Sequence, residues 1–504
     1  MSSGPAAADV PAAAARIVPR WEWRAFGEGF GDAEERLGAT ARVHESDEVY
    51  LLSATGDASV KVRDELMDVK RLQQVDEQGL EQWLPVLKAP FPLAPGDVAT
   101  VSAALGRATP ELEGASYGLD ELLELTGARA VEVHKVRRRY DVAGCAAELT
   151  DVRAGPDVAR TVAVESEDPE RVVDAVRSLG LPLTPNTCMA RGLKALVGRR
   201  FAVVDVGTNS VKFYVADRRA DGSWTTVLER SEVTRLGEGL DRTGRLGAEP
   251  VARTVEAVAG MVEQALGLGV ADVAAAGTAG LRMAPNRDEL LDAVRRRTGV
   301  TVEVVPGEEE ARLAYLATKA ALGLHDEAVV DFDTGGGSSQ FTFGHGDRVD
   351  EQFSVPVGAV RFTEEFGLDG RVDEARLGEA EEAIAAALEP LDGREAPDTL
   401  VGMGGAVTNL AAVQHELADY DPNAVRGTRL GREEVERQIE LYRTRTADER
   451  RSIVGLQPKR AEVILAGACI VLTVMRKLDA YALTVSDRGL RHGLMAERFR
   501  RPGG

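Results

Sequence analysis

A chain of 504 residues, 44% hydrophobic, 28% charged and 5% aromatic, has the make-up of a soluble globular protein with room for roughly three domains. Its formal charge of −21 opposes nonspecific nucleic-acid binding, which draws on a basic face, and no apolar run reaches the ~20 residues of a membrane helix. Three cysteines without CxxC spacing and six scattered histidines without an HxH or HExxH pair argue against a disulfide framework or a zinc site and point to a reducing cytoplasm.

In chain order, residues 1–16 are rich in Ala and Pro but lack a basic start and a continuous apolar core, so they read as a disordered leader. From 17 to 198 the pattern is of strands and polar turns: 49–53, 58–64, 131–142, 146–152 and 160–167 are expected to be extended. A helix is expected around DVATVSAALGRA, and another over 168–181, opened by Asp168-Pro169 and closed at Gly180. After Gly198 the character changes. FAVVDVGTNSVKFYVADRR reads as two strands around a glycine turn, and helices such as EPVARTVEAVAGMVEQALGLG then alternate with short strands such as VAAAGT and TVEVVP. That alternation predicts an α/β fold, divided here into 201–325 and 326–504.

The stretch VVDFDTGGGSSQ (329–340) carries the first chemical signal. Glycine is costly in backbone entropy, so three together mark either a tight strand-to-strand turn or a backbone that must approach a ligand closely. In the second case the N–H groups form a nest for phosphate and the aspartate holds a cation. An echo occurs earlier, since Asp205-Val-Gly-Thr-Asn-Ser210 and Asp333-Thr-Gly-Gly-Gly-Ser338 both follow a β-branched strand. Two such loops suggest two related halves facing each other across a cleft. Between them, GEEEAR begins a helix near Gly307. Glu308 and Glu309 suit the positive end of a helix dipole, whereas Glu310 sits deeper, where a carboxylate can orient or deprotonate a water. Arg235 and Arg282 stand beside glycine-rich turns, where a guanidinium can fork onto phosphate oxygens.

Taken in order and spacing, DVGTNS, RLGEGL, GTAGLR, GEEEAR, DTGGGSSQ, SVPVGAVR, GMGGAVTNL and SDRGLRHG resemble the exopolyphosphatase and guanosine pentaphosphate phosphatase (Ppx/GppA) family, from about Phe201 to Arg500. The resemblance implies the two-lobed actin-like fold of acetate kinases, sugar kinases and Hsp70, with hydrolysis in the interdomain cleft. It also implies Glu310 as the catalytic glutamate, Asp333 as the Mg²⁺ aspartate with Asp205 and Gln340 beside the metal, and Arg282 and Arg235 on phosphate. The amides of Gly207, Thr208, Asn209, Ser210, Gly335, Gly336, Gly337 and Ser338 would grip the terminal phosphates. One position departs: the family writes Asp-x-Gly-Gly-Gly-Ser-Thr-Glu, and this chain ends in Gln340, which can ligate Mg²⁺ but brings no charge and cannot be a base.

Residues 17–198 look like the CYTH or triphosphate tunnel family, an antiparallel barrel with a charged lumen. Lys61 with Arg63, and Arg137 with Arg139, stand at i, i+2 and share a strand face. Of the family's Glu-x-Glu-x-Lys signature only Glu22 and Arg24 remain, within RWEWR. Metal-dependent hydrolysis needs several carboxylates, so this domain is expected to bind polyanions without turning them over. The function expected of the whole is Mg²⁺-dependent release of terminal phosphate from inorganic polyphosphate. The alternatives are hydrolysis of guanosine pentaphosphate and a catalytically weak polyphosphate or alarmone sensor. No nucleic-acid or membrane partner is expected, and a homodimer is compatible with the sequence.

Overall fold

A computed structural model of the chain describes residues 18–38, 42–184 and 186–501, so the expected leader over 1–16 lies outside the described residues. The chain divides into two compact units. One holds the residues up to Ala276 together with Ala284–Glu303 and the stretch from Arg498; the other holds Gly277–Met283 and Val304–Glu497.

The first unit begins with β1 (Arg20–Gly27), β2 (Arg42–Leu52), β3 (Ser59–Arg63), β4 (Leu66–Val75), β5 (Glu81–Pro90), β6 (Arg129–Val142), β7 (Cys145–Ala154) and β8 (Asp157–Ser166). They close into one barrel in the order β1-β5-β4-β3-β2-β6-β7-β8. Every described pairing in it is antiparallel. Its tight hairpins follow from turn chemistry. Asp64-Glu65 and Ala143-Gly144 both take positive φ at two successive residues, which matches the twist of the flanking strands, and Gly155 supplies a positive φ between β7 and β8. Strand alternation sorts the side chains. Trp21 and Trp23 point outward to Val172, Val173 and Val176 of the helix Pro169–Ser178, which is capped by Asp168 accepting from Glu170 N–H at 3.0 Å. The helix Met189–Val197 packs Leu193 and Leu196 on Tyr50, Leu52, Trp83, Val131 and Val133, which covers one end of the barrel. β1, β4 and β5 were not expected from the sequence, and β4 in particular is half exposed and reads as a polar run.

The same unit carries the sheet β11-β10-β9-β12-β13, formed by β9 (Arg200–Val206), β10 (Ser210–Arg218), β11 (Trp224–Val233), β12 (Asp272–Gly277) and β13 (Val302–Val304). Barrel and sheet are joined by a buried lysine. Lys194 Nζ lies 2.8 Å from Asp57 Oδ1 and 2.7 Å from Asp272 Oδ1, and Val273 N–H donates to the Ala54 carbonyl at 3.0 Å.

The second unit is built on β14 (Ala328–Thr334), β15 (Ser339–His345), β16 (Arg348–Val355), β17 (Thr399–Met403), β18 (Arg429–Gly431) and β19 (Ala482–Val485), in the order β16-β15-β14-β17-β19-β18. Phe332, Phe341 and Phe353 stack across one face of this sheet, with ring centroids 5.9 and 5.4 Å apart. That face rests on a core centred on the helix Ile464–Lys477, buried from Ile464 to Met475. Because side chains alternate, Asp331 and Asp333 leave β14 on the opposite face.

Candidate active site

The glycine run lies between β14 and β15 and is pinned through its carbonyls. Gly335 N–H donates to the Ser338 carbonyl at 2.9 Å. The Gly335 and Gly336 carbonyls accept from the N–H groups of Ala359, Val360 and Arg361, which open the helix Ala359–Phe366, at 2.9–3.2 Å. A Cβ on Gly358 would strike the Gly336 carbonyl, so this contact requires glycine. The N–H groups of Gly336, Gly337 and Ser338 take no partner among the described residues, which leaves a row of donors suited to phosphate oxygens.

The loop at Asp205 repeats the construction. Gly207 N–H donates to the Ser210 carbonyl at 3.1 Å, Thr234 and Arg235 N–H donate to the Asn209 carbonyl, and Gly237 N–H donates to Thr208 at 2.8 Å. A Cβ on Gly237 would collide with the Thr208 methyl. Arg235 holds a left-handed φ of 48° there, with its side chain exposed. The residues opposite the two aspartates differ. Lys212 faces Asp205 across β9 and β10, with Nζ 3.6 Å from Oδ2, whereas Gln340 faces Asp333 across β14 and β15. Asp205 is buried with Lys212 beside it, and Asp333 is half-buried with the Gln340 amide opposite.

Glu310 lies in the first turn of the helix Gly307–Leu322. Arg282, from the short helix Ala279–Met283, donates through Nη1 to Glu310 Oε2 at 2.7 Å and to the Val305 carbonyl at 2.8 Å. The two residues singled out separately in the sequence therefore meet, and the arginine fixes the carboxylate. Glu309 is engaged elsewhere, with both oxygens on Arg312 at 2.7 Å, as suits a helix-end carboxylate.

The structure adds contacts that the sequence could not pair, several of them within the motifs quoted above. Asp333 Oδ1 lies against Gly404, the first residue of the helix Gly404–Gln414. Gly404 has φ 87°, and a Cβ there would collide with the carboxylate; one on Gly405 would collide with the Arg460 guanidinium. The carboxylate and the guanidinium thus flank one helix N-terminus through the glycines of GMGG. Asp331 is buried two residues before Asp333. Burial, and then the Asp333 carboxylate, push its carboxyl well above the usual range. The Thr318 hydroxyl, which offsets part of that rise, lies 3.4 Å from both Met403 Sδ and Ser486 Oγ.

Among the described residues no three His, Cys, Asp or Glu side chains converge as a ready metal cage. A half-buried Asp333 with the Gln340 amide beside it fits an ion such as Mg²⁺, which usually rests on one or two carboxylates and completes its shell with water and substrate phosphate.

In the barrel, Lys61, Arg63 and Arg137 are brought together around a carboxylate that the sequence reading passed over. Glu48 accepts from Arg137 at 2.5 Å and from the Tyr50 hydroxyl at 2.9 Å, with Lys135 at 3.3 Å and Lys61 and Arg63 at 3.6 Å. Burial pushes the Glu48 carboxyl up, but Lys135, Lys61 and Arg137 outweigh it and hold it well below the usual carboxylate range. Burial pushes Lys135 down to about 7. Glu22 binds Arg24 at 2.8 Å, and Glu148 lies 3.7 Å from Arg137. The clue to Lys135 was its place at i−2 from Arg137; Glu48 has no such clue, since its partners come from other strands.

A carboxylate fixed by arginine, a second carboxylate at a helix N-terminus and a pinned loop of open amides define a phosphohydrolase, and its two sheets are those of the actin-like fold. Residues 215–501 match the model of the Ppx/GppA phosphatase family, and the chain belongs to that family. It is 30% identical over 311 residues to exopolyphosphatase 1 of Mycobacterium leprae, which spans 60% of this chain and 89% of that protein. Exopolyphosphatase 2 of Mycobacterium tuberculosis is 30% identical over 58% of this chain and 97% of its own length. A crystal structure of the Aquifex aeolicus Ppx/GppA phosphatase superposes with a TM-score of 0.55 at 33% identity, over 60% of this chain and 99% of that one. The chain is thus a hydrolase acting on phosphoanhydrides, and its barrel precedes the region matched by the family model.

Proposed function

We propose that the protein releases terminal phosphate from inorganic polyphosphate, with Mg²⁺ as cofactor, through the site of Glu310, Arg282 and Asp333. The observation that carries this reading is the Arg282–Glu310 hydrogen bond, which holds a carboxylate in place beside a phosphate-binding arginine. The amides of Gly336, Gly337 and Ser338 bind the terminal phosphate, and the pinned carbonyls beneath them keep the loop from reorganising as charge develops. Glu310 orients a water and takes its proton as the water attacks phosphorus. Arg282 keeps Glu310 aligned and presents the rest of its fork to the transferred phosphoryl group. Asp333 and Gln340 would hold Mg²⁺, which supplies charge neutralisation to the leaving phosphate chain. The loop Gly207–Ser210 and Arg235 form a second phosphate-binding element by their likeness to the first.

No helix among the described residues is long and apolar enough to cross a membrane, and all three cysteines are buried and unpaired, which suits a cytoplasmic enzyme. The test is phosphate release from polyphosphate and from guanosine pentaphosphate by the same preparation. A higher kcat/KM on polyphosphate is expected; a clear preference for the nucleotide would reassign the substrate.

A further inference from the structure

Along the face of β14 that carries Asp333 the order is Val329, Asp331, Asp333. Asp331 thus lies between an apolar patch of Tyr315, Val329 and Val401 and the half-buried Asp333, with Thr342 opposite it on β15 and Val401 beside it on β17. It is 3% exposed, and neither of its carboxyl oxygens accepts a hydrogen bond among the described residues. The helix Gly307–Leu322, which packs on this face through Tyr315, has its polar groups engaged elsewhere. Lys319 donates to the His325 carbonyl at 2.6 Å and lies 3.1 Å from Asp347 Oδ1, and the Tyr315 hydroxyl donates to the Gly346 carbonyl at 3.3 Å. The Thr318 hydroxyl makes its contacts with Met403 Sδ and Ser486 Oγ. The other buried carboxylates among the described residues each have a cation: Arg137 for Glu48, Arg191 for Glu81, Arg501 for Asp157 and Lys212 for Asp205. A buried carboxyl without a partner destabilises the fold, so Asp331 calls for a ligand that the chain itself does not supply.

We propose that Asp331 is the outer carboxyl of the ion site at Asp333: it does not touch the metal, but accepts a hydrogen bond from one of the metal's water ligands, and so supplies the second carboxyl that Gln340 does not. The proposal rests on the reading of Asp333 as the metal ligand. Mg²⁺ bound through one or two carboxylates keeps several waters, and groups that hold such ligands from behind tune the affinity of the site. Two residues of strand separate Asp331 from Asp333 by ~6.6 Å on one face, a gap that an ion at Asp333 and one of its waters fill. The carboxyl missing across the ladder, at Gln340, is thereby replaced along the strand, at Asp331.

The test is Mn²⁺ binding to the full chain without substrate, read as free Mn²⁺ by electron paramagnetic resonance, together with thermal melting in EDTA. The site in question is the one lost in Asp333→Asn. At that site Asp331→Asn and Asp331→Val should each weaken Mn²⁺ binding by roughly 10–100-fold, the usual effect of losing a group that holds a metal's ligand. In EDTA, Asp331→Val removes the unpartnered group and should melt about 2 °C above wild type. A gain in stability together with a loss of metal affinity is a pair of changes that a merely structural carboxyl does not produce. Unchanged Mn²⁺ affinity in Asp331→Asn, which keeps the size of the side chain, would overturn the proposal. Melting of both variants below wild type in EDTA would overturn it too, since Asp331 would then stabilise the fold without metal. If Asp333→Asn loses no Mn²⁺ site, the ligand role of Asp333 fails and this proposal with it; full affinity in the Asp331 variants alone fails only the proposal.

Discussion

Asp333 and Gln340 stand directly opposite each other across the β14–β15 ladder, so the amide is a neighbour of the carboxylate rather than a residue packed on the Phe332–Phe341 face. A Mg²⁺ bound here, as proposed, would meet one carboxylate where a glutamate at 340 would make it two. Gln340→Glu should lower the Mg²⁺ concentration for half-maximal activity, whereas Asp333→Asn should abolish activity at any accessible Mg²⁺. Magnesium titrations of the three proteins measure this, and an unchanged midpoint in folded Gln340→Glu would place the residue outside the metal's reach.

Arg282 spends one nitrogen on both Glu310 and the Val305 carbonyl. A lysine keeps the charge but not the planar fork, so Arg282→Lys should lower kcat by roughly 10², close to the effect of Arg282→Ala. Recovery of most of the activity by lysine would mean that charge alone matters at this position.

Gly404 meets two demands at once, a left-handed φ and close approach to Asp333 Oδ1. Gly404→Ala should cost roughly 1–2 kcal/mol from the backbone alone and should also displace the carboxylate. Its activity loss should exceed its loss of thermal stability, and part of that loss should be recovered by raising Mg²⁺.

The barrel should be acid-sensitive through Glu48. Its folded pKa is depressed below the ordinary 4.5, so its stabilisation is present above that value and is lost as pH falls through and below it. Glu48→Gln leaves buried cations uncompensated and should cost ~3–5 kcal/mol at neutral pH while flattening the acid dependence. Urea unfolding followed by tryptophan fluorescence reports this through Trp21, Trp23 and Trp83 of the barrel.

What could be read from the sequence was what is local in the chain. The two glycine loops, the helix from Gly307 with Glu310 in its first turn, and the i, i+2 basic pairs of β3 and β6 each declare themselves within a few residues. The contacts that complete the site were not legible because they join distant segments: Gly404 against Asp333, Arg460 against Gly405, and Arg282 on Glu310. Lys194 looks like a surface lysine of an amphipathic helix, yet it is 1% exposed and ties the barrel to Asp272. A cut at residue 198 would leave Asp272 buried without its cation, so point variants are the sounder probe of the barrel. The opposite charges of the lumen could not be paired from sequence, because Glu48 finds Arg137, Lys135 and Lys61 only after β2, β3 and β6 have closed side by side.

The most direct measurement is single-turnover and steady-state phosphate release from long-chain polyphosphate in Mg²⁺ by the wild type and by Glu310→Gln. The substitution keeps size and hydrogen bonding to Arg282 but removes the base. With Glu310 as the group that activates water, kcat should fall by roughly 10²–10⁴ with KM little changed. Near-normal turnover in Glu310→Gln would contradict that role, and the absence of phosphate release by the wild type would contradict the exopolyphosphatase itself.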